Sequence, residues 1–150
     1  MIRLATVEDS EQLFYLNEKF NGKDVTTLDN LKESLLNNQQ EIIVVAEENS
    51  VLVGFVCIQL KKSFCYDDFA PEITEVFVDK NYRRKKYASK MILYAESHCM
   101  KTYQLHKFEL LAGKNNFEAQ ALYKSLGYCD KGELHLSKQF DVKENSNANL

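Results

Sequence analysis

The chain has little of what marks a secreted, membrane-bound or multidomain protein. Its 150 residues include one proline, Pro71, and five glycines, and no Gly/Ser-rich stretch suggests a linker between domains. No apolar run approaches the roughly 18 residues needed to cross a bilayer, and the first residues do not resemble a signal peptide. The cysteines form no C-x-x-C pair and the histidines show no ligand spacing, so we expect no metal site. We therefore expect a cytoplasmic protein with one domain, residues 1–140, followed by a polar tail, residues 141–150.

The charge balance argues against a dedicated nucleic-acid binder. The net charge is −3, whereas non-specific binding of nucleic acid depends on an excess of lysine and arginine. The basic residues that matter are instead concentrated in one short segment: Lys80, Arg83, Arg84, Lys85 and Lys86. Such a local cluster suits one polyanionic ligand better than a duplex, although a solvated surface or a nucleic-acid contact remains an alternative for this segment alone.

The order of the predicted elements indicates an α/β (α+β) fold. Strands are predicted at 2–5, 41–47, 51–60, 71–78 and 106–112. Helices are predicted after Thr6, after Thr27, at 86–100 and at 117–126. A C-terminal hairpin is predicted with strands 128–129 and 133–140 around a turn at 130–132. This order implies a mostly antiparallel central sheet flanked by helices on both faces. The strand–helix–strand unit at 72–112 should form a parallel crossover.

The segment from Glu75 to Ile92 carries the strongest functional signal. An apolar run ends at Val78, the basic loop follows, and apolar residues then recur with the spacing of an amphipathic helix. A strand that enters a helix through a basic loop directs backbone N–H groups, the helix dipole and cationic side chains to one point, which suits a pyrophosphate. The small residues Ala88 and Ser89 let a ligand approach the helix start.

Two motifs resemble those of the GNAT superfamily of acetyl-CoA-dependent N-acetyltransferases, and the resemblance extends from the first strand to about Phe140. The pattern N-x-x-A-x-x-L-Y-x-x-x-G-F/Y is matched by Asn116, Ala119, Leu122, Tyr123, Gly127 and Tyr128. The acyl-CoA loop of the family, Q/R-x-x-G-x-G/A, falls on residues 83–88, with Lys86 where glycine is usual. A Cβ at Lys86 either crowds the pyrophosphate or is harmless because the residue has helical geometry.

The resemblance implies acetyl-CoA as the co-substrate, bound between splayed strands. Backbone groups of the strand would pair with the pantetheine arm as if it were an added strand, and N–H groups from Arg84 through Ser89 would bind the pyrophosphate. Asn116 either reaches the cofactor or only caps its helix. The implied cofactor-binding residues are Val76, Phe77, Val78, Arg83, Arg84, Lys85, Lys86, Tyr87, Ala88, Ser89 and Asn116.

Family-like transfer to an amine requires a base, an acid and a donor for the oxyanion. Glu72 and Glu75 are the candidate bases, and strand alternation puts them on opposite faces unless a bulge intervenes. Tyr123 matches the tyrosine acid of the family, and the backbone N–H of Val78 the oxyanion donor. The alternative for each carboxylate is a structural ion pair with a cation, and the alternative for Tyr123 is a core residue on a short helix.

The acceptor side is less defined. Asp67 and Asp68 in the loop 61–70 form an acidic group together with Glu72 and Glu75, which favours a cationic acceptor such as an aminoglycoside, a polyamine or a lysine-like amine, although a solvated loop tip is the alternative. The leading hypothesis is an N-acetyltransferase that acts by direct transfer on a primary amine of a small molecule, with no nucleic-acid or membrane partner. The rivals are a CoA-binding sensor without turnover and a small nucleic-acid-binding protein. The oligomeric state stays open, and a homodimer is compatible with the sequence.

Overall fold

The computed structural model describes residues 1–141, so the predicted polar tail lies outside the described residues apart from its first position. The strands are β1 (Ile2–Leu4), β2 (Glu41–Glu48), β3 (Val51–Gln59), β4 (Glu72–Val78) and β5 (Glu109–Leu110). The helices are α1 (Ser10–Asn21), α2 (Leu28–Asn37), α3 (Tyr87–Thr102) and α4 (Phe117–Ser125). Among residues 1–141, no helix is long and apolar enough to cross a membrane.

The sheet confirms the predicted mixed fold. Its strand order is β1-β2-β3-β4-β5, and every neighbouring pair is antiparallel except β4 and β5, which are parallel as the β4-α3-β5 crossover requires. Helices α1 and α2 cover one face of the sheet, and α3 covers the other. The sheet is therefore the middle layer of three.

The core follows the alternation of side chains along the strands. In β2, Val44 and Ala46 point to the α3 side, whereas Val45 between them points to the α1 side. All three are fully buried. A strand buried on both faces reads as a continuous apolar run, which is why residues 42–46 show no polar position.

A β-bulge in β4 changes which side chains share a face. Glu75 lies opposite Cys57 in β3, but Ile73 lies opposite Ile58, so Thr74 is an extra residue without a partner. Glu72 then lies opposite Gln59, two positions from Cys57. The bulge therefore brings Glu72 and Glu75 to the same face of the sheet, the face covered by α1 and α2.

The predicted C-terminal hairpin is wrong in this structure, and β5 is shorter than predicted. Residues 128–140 contain no strand, and residues 129–141 are all exposed. The Asp130 side chain accepts a hydrogen bond from the Gly132 N–H (2.8 Å), so the local turn contact exists. The first arm of the predicted hairpin, residues 128–129, is only two residues long. Its Tyr128 hydroxyl is hydrogen-bonded to Glu96 on α3, so this arm is too short to pair with a second strand.

Gly54 lies at a close contact between β3 and β4. A Cβ added there would lie 2.6 Å from the Phe77 carbonyl oxygen and 3.1 Å from the Met91 Cε atom. The first of these is a backbone atom that cannot turn aside, so any larger residue must push β4 away from β3.

We expect Gly54→Ala to lower the free energy of unfolding by about 1–3 kcal/mol, the usual cost of overpacking. Gly113→Ala is the matched control, because a Cβ there meets only Asn116 Cβ at an ordinary 3.6 Å. Urea unfolding of both variants checks the prediction, and equal stability of the two would contradict it.

Candidate active site

The candidate site begins where β4 and β5 separate. The two strands pair only through Glu72–Glu109 and Ile73–Leu110. From Thr74 to Val78, β4 has no strand neighbour on that side among residues 1–141, while its other side stays paired with β3. The result is a gap along the second half of β4.

The hydrogen-bond register determines which backbone groups point into this gap. The Asp79 N–H donates to the Val53 carbonyl (2.8 Å), which makes Val78 a member of a non-hydrogen-bonded pair in the antiparallel ladder. Val76 has the same setting, so the N–H and C=O groups of Val76 and Val78 face the gap, whereas those of Phe77 face β3. The Arg83 Nε donates to the Val78 carbonyl (3.0 Å) and so occupies one of these gap-facing acceptors.

The basic loop lies at the end of the gap. Arg83, Arg84 and Lys86 are exposed, and within the described part of the chain they have no carboxylate partner. Helix α3 starts directly after Lys86 without a side-chain cap. The N–H groups of Tyr87, Ala88 and Ser89 lie in its first turn and have no intrahelical acceptors. The arrangement is an uncapped helix N-terminus beside three free cations, which is suited to bind phosphate groups.

Glu48, which the sequence analysis missed, fixes one side of this loop. It accepts hydrogen bonds from the Lys85 ammonium (3.1 Å) and from the Tyr87 hydroxyl. The contact ties the loop to the turn between β2 and β3. Lys85 is therefore neutralised within the protein, and it differs in this respect from the three free cations.

Lys86 and Arg84 both have left-handed backbone conformations. Their φ angles are 63° and 65°. The expectation that Lys86 is harmless because of helical geometry is therefore wrong. Lys86 stands just before the helix in a conformation that favours glycine, as the resemblance suggests for this position.

Tyr123 lies on α4 and packs against the core on the α3 side of the sheet. Its half-buried ring packs edge-on against Tyr128, with the ring centroids 6.4 Å apart, and the Tyr128 hydroxyl donates to Glu96 on α3 (2.7 Å). Burial raises the pKa of Tyr123, so its phenol keeps the proton at neutral pH. Asn116 caps α4, because its side-chain oxygen accepts from the Ala119 N–H (3.1 Å).

The two candidate bases differ in their partners. Glu72 accepts from the Lys61 ammonium (3.0 Å), which also bridges to Glu109. Glu75 has no hydrogen-bond or ion-pair partner among the described residues, and desolvation by its surroundings raises its pKa. A carboxylate that is unpaired and has a raised pKa is the better proton acceptor at neutral pH.

A pocket under α2, which the sequence analysis did not predict, lies on the same face as Glu75. It has a volume of about 190 Å³, with apolar walls that include Leu31, Leu35 and Phe55. Glu41 is its acidic residue, held by the Gln59 amide (3.4 Å). Burial raises the pKa of Glu41, and the charge of Glu75 raises it further.

Asp67 and Asp68 lie apart from this pocket, in the loop between β3 and β4. Neither forms an ion pair within residues 1–141. The base of the loop is fastened to the chain before β5, where the Phe69 N–H donates to the Gln104 carbonyl (2.9 Å). The loop that carries the two aspartates is thus attached to the chain that precedes β5, and neither aspartate lines the pocket of Glu41.

The left-handed conformation of Lys86 yields a stability prediction. Lys86→Gly and Lys86→Ala both remove the ammonium, but only glycine relieves the strain, so we expect the glycine variant to be more stable by about 1 kcal/mol. At Lys90, inside α3, the order should reverse, with alanine more stable by about 1 kcal/mol. Urea unfolding of the four variants measures the stability difference between glycine and alanine at each position. If the same residue is the more stable one at both positions, the left-handed conformation of Lys86 is refuted.

Comparisons with known proteins identify the family of the chain. The family model described as "Acetyltransferase (GNAT) family" matches residues 5–128. No curated protein matched the chain.

Solved structures share the fold at low identity. An aminoglycoside acetyltransferase, meta-AAC0020, from an uncultured soil metagenomic sample, in complex with sisomicin, is 18% identical over 93% of this chain and 95% of its own, with a TM-score of 0.82. A ribosomal-protein-alanine N-acetyltransferase from Brucella melitensis biovar Abortus 2308 is 18% identical over 93% and 98%, with a TM-score of 0.76. A possible acetyltransferase from Clostridium difficile 630 is 23% identical over 93% and 98%, with a TM-score of 0.72.

The matched family model spans most of the chain, from the end of β1 to the residue that follows Gly127, and includes both motifs noted in the sequence. The chain therefore belongs to the GNAT family and is an acetyltransferase.

Proposed function

We propose that the protein is an N-acetyltransferase that moves an acetyl group from acetyl-CoA directly to a primary amine of a small cationic acceptor. One observation carries this proposal. The backbone groups of Val76 and Val78 that face away from β3, with only the Val78 carbonyl taken by the Arg83 Nε, lead along one gap to the uncapped start of α3 and its three free cations. The location in the cytoplasm remains a prediction from the sequence.

The residues present fit acetyl-CoA. The gap offers strand-like donors and acceptors for an amide-containing arm, and the α3 start offers N–H groups and positive charge for a diphosphate. Arg83, Arg84 and Lys86 are the side chains available to the phosphates, while Lys85 is held by Glu48. Acetyl-CoA supplies an acetyl group activated as a thioester.

Glu75 is the proposed base. An alkyl amine with a pKa of about 10.4 is mostly protonated at pH 7, which costs about 4–5 kcal/mol if the neutral amine is to react. Glu75 lies next to the bulge on the sheet face covered by α1 and α2. It has no ion-pair partner among the described residues, and its pKa is raised. It can therefore take the proton from the ammonium, directly or through a water.

Tyr123 and Val78 are proposed for the opposite end of the reaction. Tyr123 holds a proton that it can donate to the departing sulfur, because burial keeps the phenol neutral. The Val78 N–H faces the gap and is not used by β3, so it is free to donate to the carbonyl oxygen on which negative charge develops.

The pocket under α2 is proposed to bind the acceptor. Its acidic residue Glu41 lies on the same sheet face as Glu75, so two carboxylates stand above apolar walls. This combination favours an acceptor with cationic amines and some apolar surface, and the sisomicin bound by one structural relative is a compound worth testing first. Asp67 and Asp68 would contact only an acceptor that extends towards β5.

A screen of amines with detection of free thiol tests the proposal. Aminoglycosides, spermidine and peptides with free N-termini should be incubated with the protein and acetyl-CoA, and at least one class should release thiol. Thermal stabilisation by acetyl-CoA without thiol release from any amine would favour the CoA sensor. No stabilisation, together with salt-dependent retention on nucleic acid, would favour the nucleic-acid binder.

Glu75→Gln should lower kcat/KM at pH 7 by about 10²–10⁴-fold, the usual contribution of a general base. In the unmodified enzyme, kcat/KM should rise with pH until Glu75 is deprotonated. The midpoint of this acidic limb of the pH profile should lie above about 4.3, the pKa of an ordinary glutamate, because the pKa of Glu75 is raised. The glutamine variant should lose the limb.

Glu72→Gln is the matched control for this prediction. It removes the same charge from the same strand face but leaves Glu75 intact, so we expect the pH limb to persist. A larger loss in Glu72→Gln than in Glu75→Gln would assign the base to Glu72.

Tyr123→Phe should lower kcat by about 10²-fold or more while the KM for acetyl-CoA changes by less than about threefold, because only the transferable proton is lost. Tyr103→Phe makes the same chemical change at a half-buried ring that packs on Phe69, away from the gap, and should behave as the unmodified enzyme. Steady-state kinetics of the two variants measure these changes. Unchanged kcat in Tyr123→Phe would show that Tyr123 is not the acid in the mechanism.

A further inference from the structure

Helix α4, which carries Tyr123, has few attachments to the rest of the fold. None of its residues is buried, and Tyr123 itself is only half-buried. Among residues 1–141, the hydrogen bonds of segment 116–128 all close within residues 113–128, with one exception. That exception is the bond from the Tyr128 hydroxyl to the Glu96 carboxylate on α3 (2.7 Å). The position of α4 therefore depends on this bond and on apolar packing.

The end of α4 places Tyr128 against Tyr123. The Tyr128 N–H donates to the Tyr123 carbonyl and the Gly127 N–H donates to the Lys124 carbonyl, both at 3.0 Å, which are the two bonds of a Schellman motif. Gly127 has a φ of 96°, a conformation that glycine adopts without strain. The motif brings the two tyrosine rings together edge-on, with their centroids 6.4 Å apart and their planes at 68°. The Tyr-x-x-x-Gly-Tyr spacing of the sequence thus creates the ring contact.

The hydroxyl of Tyr128 adds something that the helix end does not need. The sequence motif accepts phenylalanine or tyrosine after the glycine, so the ring alone satisfies it. Burial raises the pKa of Tyr128, and the hydrogen bond to Glu96 raises it further, so the hydroxyl stays a donor at neutral pH. Glu96 forms no ion pair within residues 1–141, which leaves its carboxylate to this bond. Hydrogen bonds to a charged acceptor are among the stronger ones.

Glu96 lies on the same helix as the candidate phosphate site. Helix α3 is continuous from Tyr87 to Thr102, and four of its side chains are fully buried in the core. Glu96 lies about 14 Å along the helix axis from Tyr87. The Tyr128–Glu96 bond therefore connects α4 to the rigid element whose first turn is suited to bind the diphosphate.

We propose that Tyr128 and Glu96 are positioning residues for Tyr123. Their hydrogen bond holds the Tyr128 ring on α3, and this ring holds the Tyr123 phenol in the direction from which it protonates the departing sulfur. The inference rests on the proposed function, in which Tyr123 is the acid. Neither positioning residue touches the reacting atoms. A proton donor displaced by about 1 Å can lose up to about 10²-fold in rate, so a single hydrogen bond at the base of α4 is enough to matter.

The first experiment removes the hydrogen bond in two ways. Tyr128→Phe and Glu96→Ala should each lower kcat by about tenfold or more, while the KM for acetyl-CoA changes by less than about threefold. Glu96→Gln keeps an oxygen that accepts from the Tyr128 hydroxyl, so it should retain at least about half of kcat. Tyr103→Phe is again the matched control and should not change kcat. A Glu96→Gln variant as slow as Glu96→Ala would overturn the proposal.

The second experiment asks whether Tyr128 acts through the proton of Tyr123. In the Tyr123→Phe background, adding Tyr128→Phe should change kcat by less than about twofold, because the proton to be positioned is already gone. The same tenfold loss in both backgrounds would show a general structural role and overturn the proposal. Slow turnover in Tyr123→Phe with normal turnover in Tyr128→Phe would overturn it too, but would leave the acid assignment intact. Normal turnover in Tyr123→Phe would overturn both.

A third measurement does not require an acceptor. With 3-fluorotyrosine incorporated throughout the chain, the ¹⁹F resonance of Tyr123 is identified by its absence in Tyr123→Phe. Tyr128→Phe should broaden or split this resonance, because the ring is released into more than one orientation, whereas Tyr103→Phe should leave it unchanged. A single sharp resonance at the original position in Tyr128→Phe would overturn the proposal even if no amine is acetylated.

Discussion

The rest of the structure depends on one constraint, the unequal pairing of β4. Its β3 side is paired from Glu72 to Val78 except at the bulge residue Thr74, and the contact at Gly54 is so close that no Cβ fits between the strands. Its other side loses β5 after Ile73. A rigid strand with a free edge presents backbone groups at fixed positions, which a flexible loop cannot do. The gap, the helix start at its end and the bulge in its middle all derive from this strand.

The electrostatics of the basic loop are more selective than its composition suggests. Of the loop cations that precede α3, Lys85 is bound to Glu48, and Arg83 is oriented by the Val78 carbonyl. Arg84 and Lys86 have strained left-handed backbones shortly before the start of α3. Strain held at a position that faces a ligand is a common feature of functional sites.

The sheet face that we propose for the acceptor, the one covered by α1 and α2, is organised by two register shifts rather than by a motif. The bulge at Thr74 puts Glu72 and Glu75 on one face, and the ion pair with Lys61 then distinguishes them. A shift between Ala46 and Glu47 sets β2 against β3 so that Glu41 lies opposite Gln59. Counting back from the Glu48–Val51 pair without this shift would place Glu41 opposite Ile58, on the wrong face. These shifts explain why Glu41 had no detectable signal in the sequence.

The sequence by itself determined the element order, the sheet with helices on both faces and the family, because hydrophobic periodicity and the Asn116–Tyr128 motif depend on neighbouring residues. Only the tertiary structure decided that β4 carries a bulge and that Lys86 has a left-handed backbone conformation. It also decided that Glu48 binds Lys85 and that residues 133–140 do not form the predicted hairpin. Each of these depends on contacts between residues far apart in the chain. Such contacts are selected by packing and hydrogen bonding in three dimensions, which local patterns of residue type do not record.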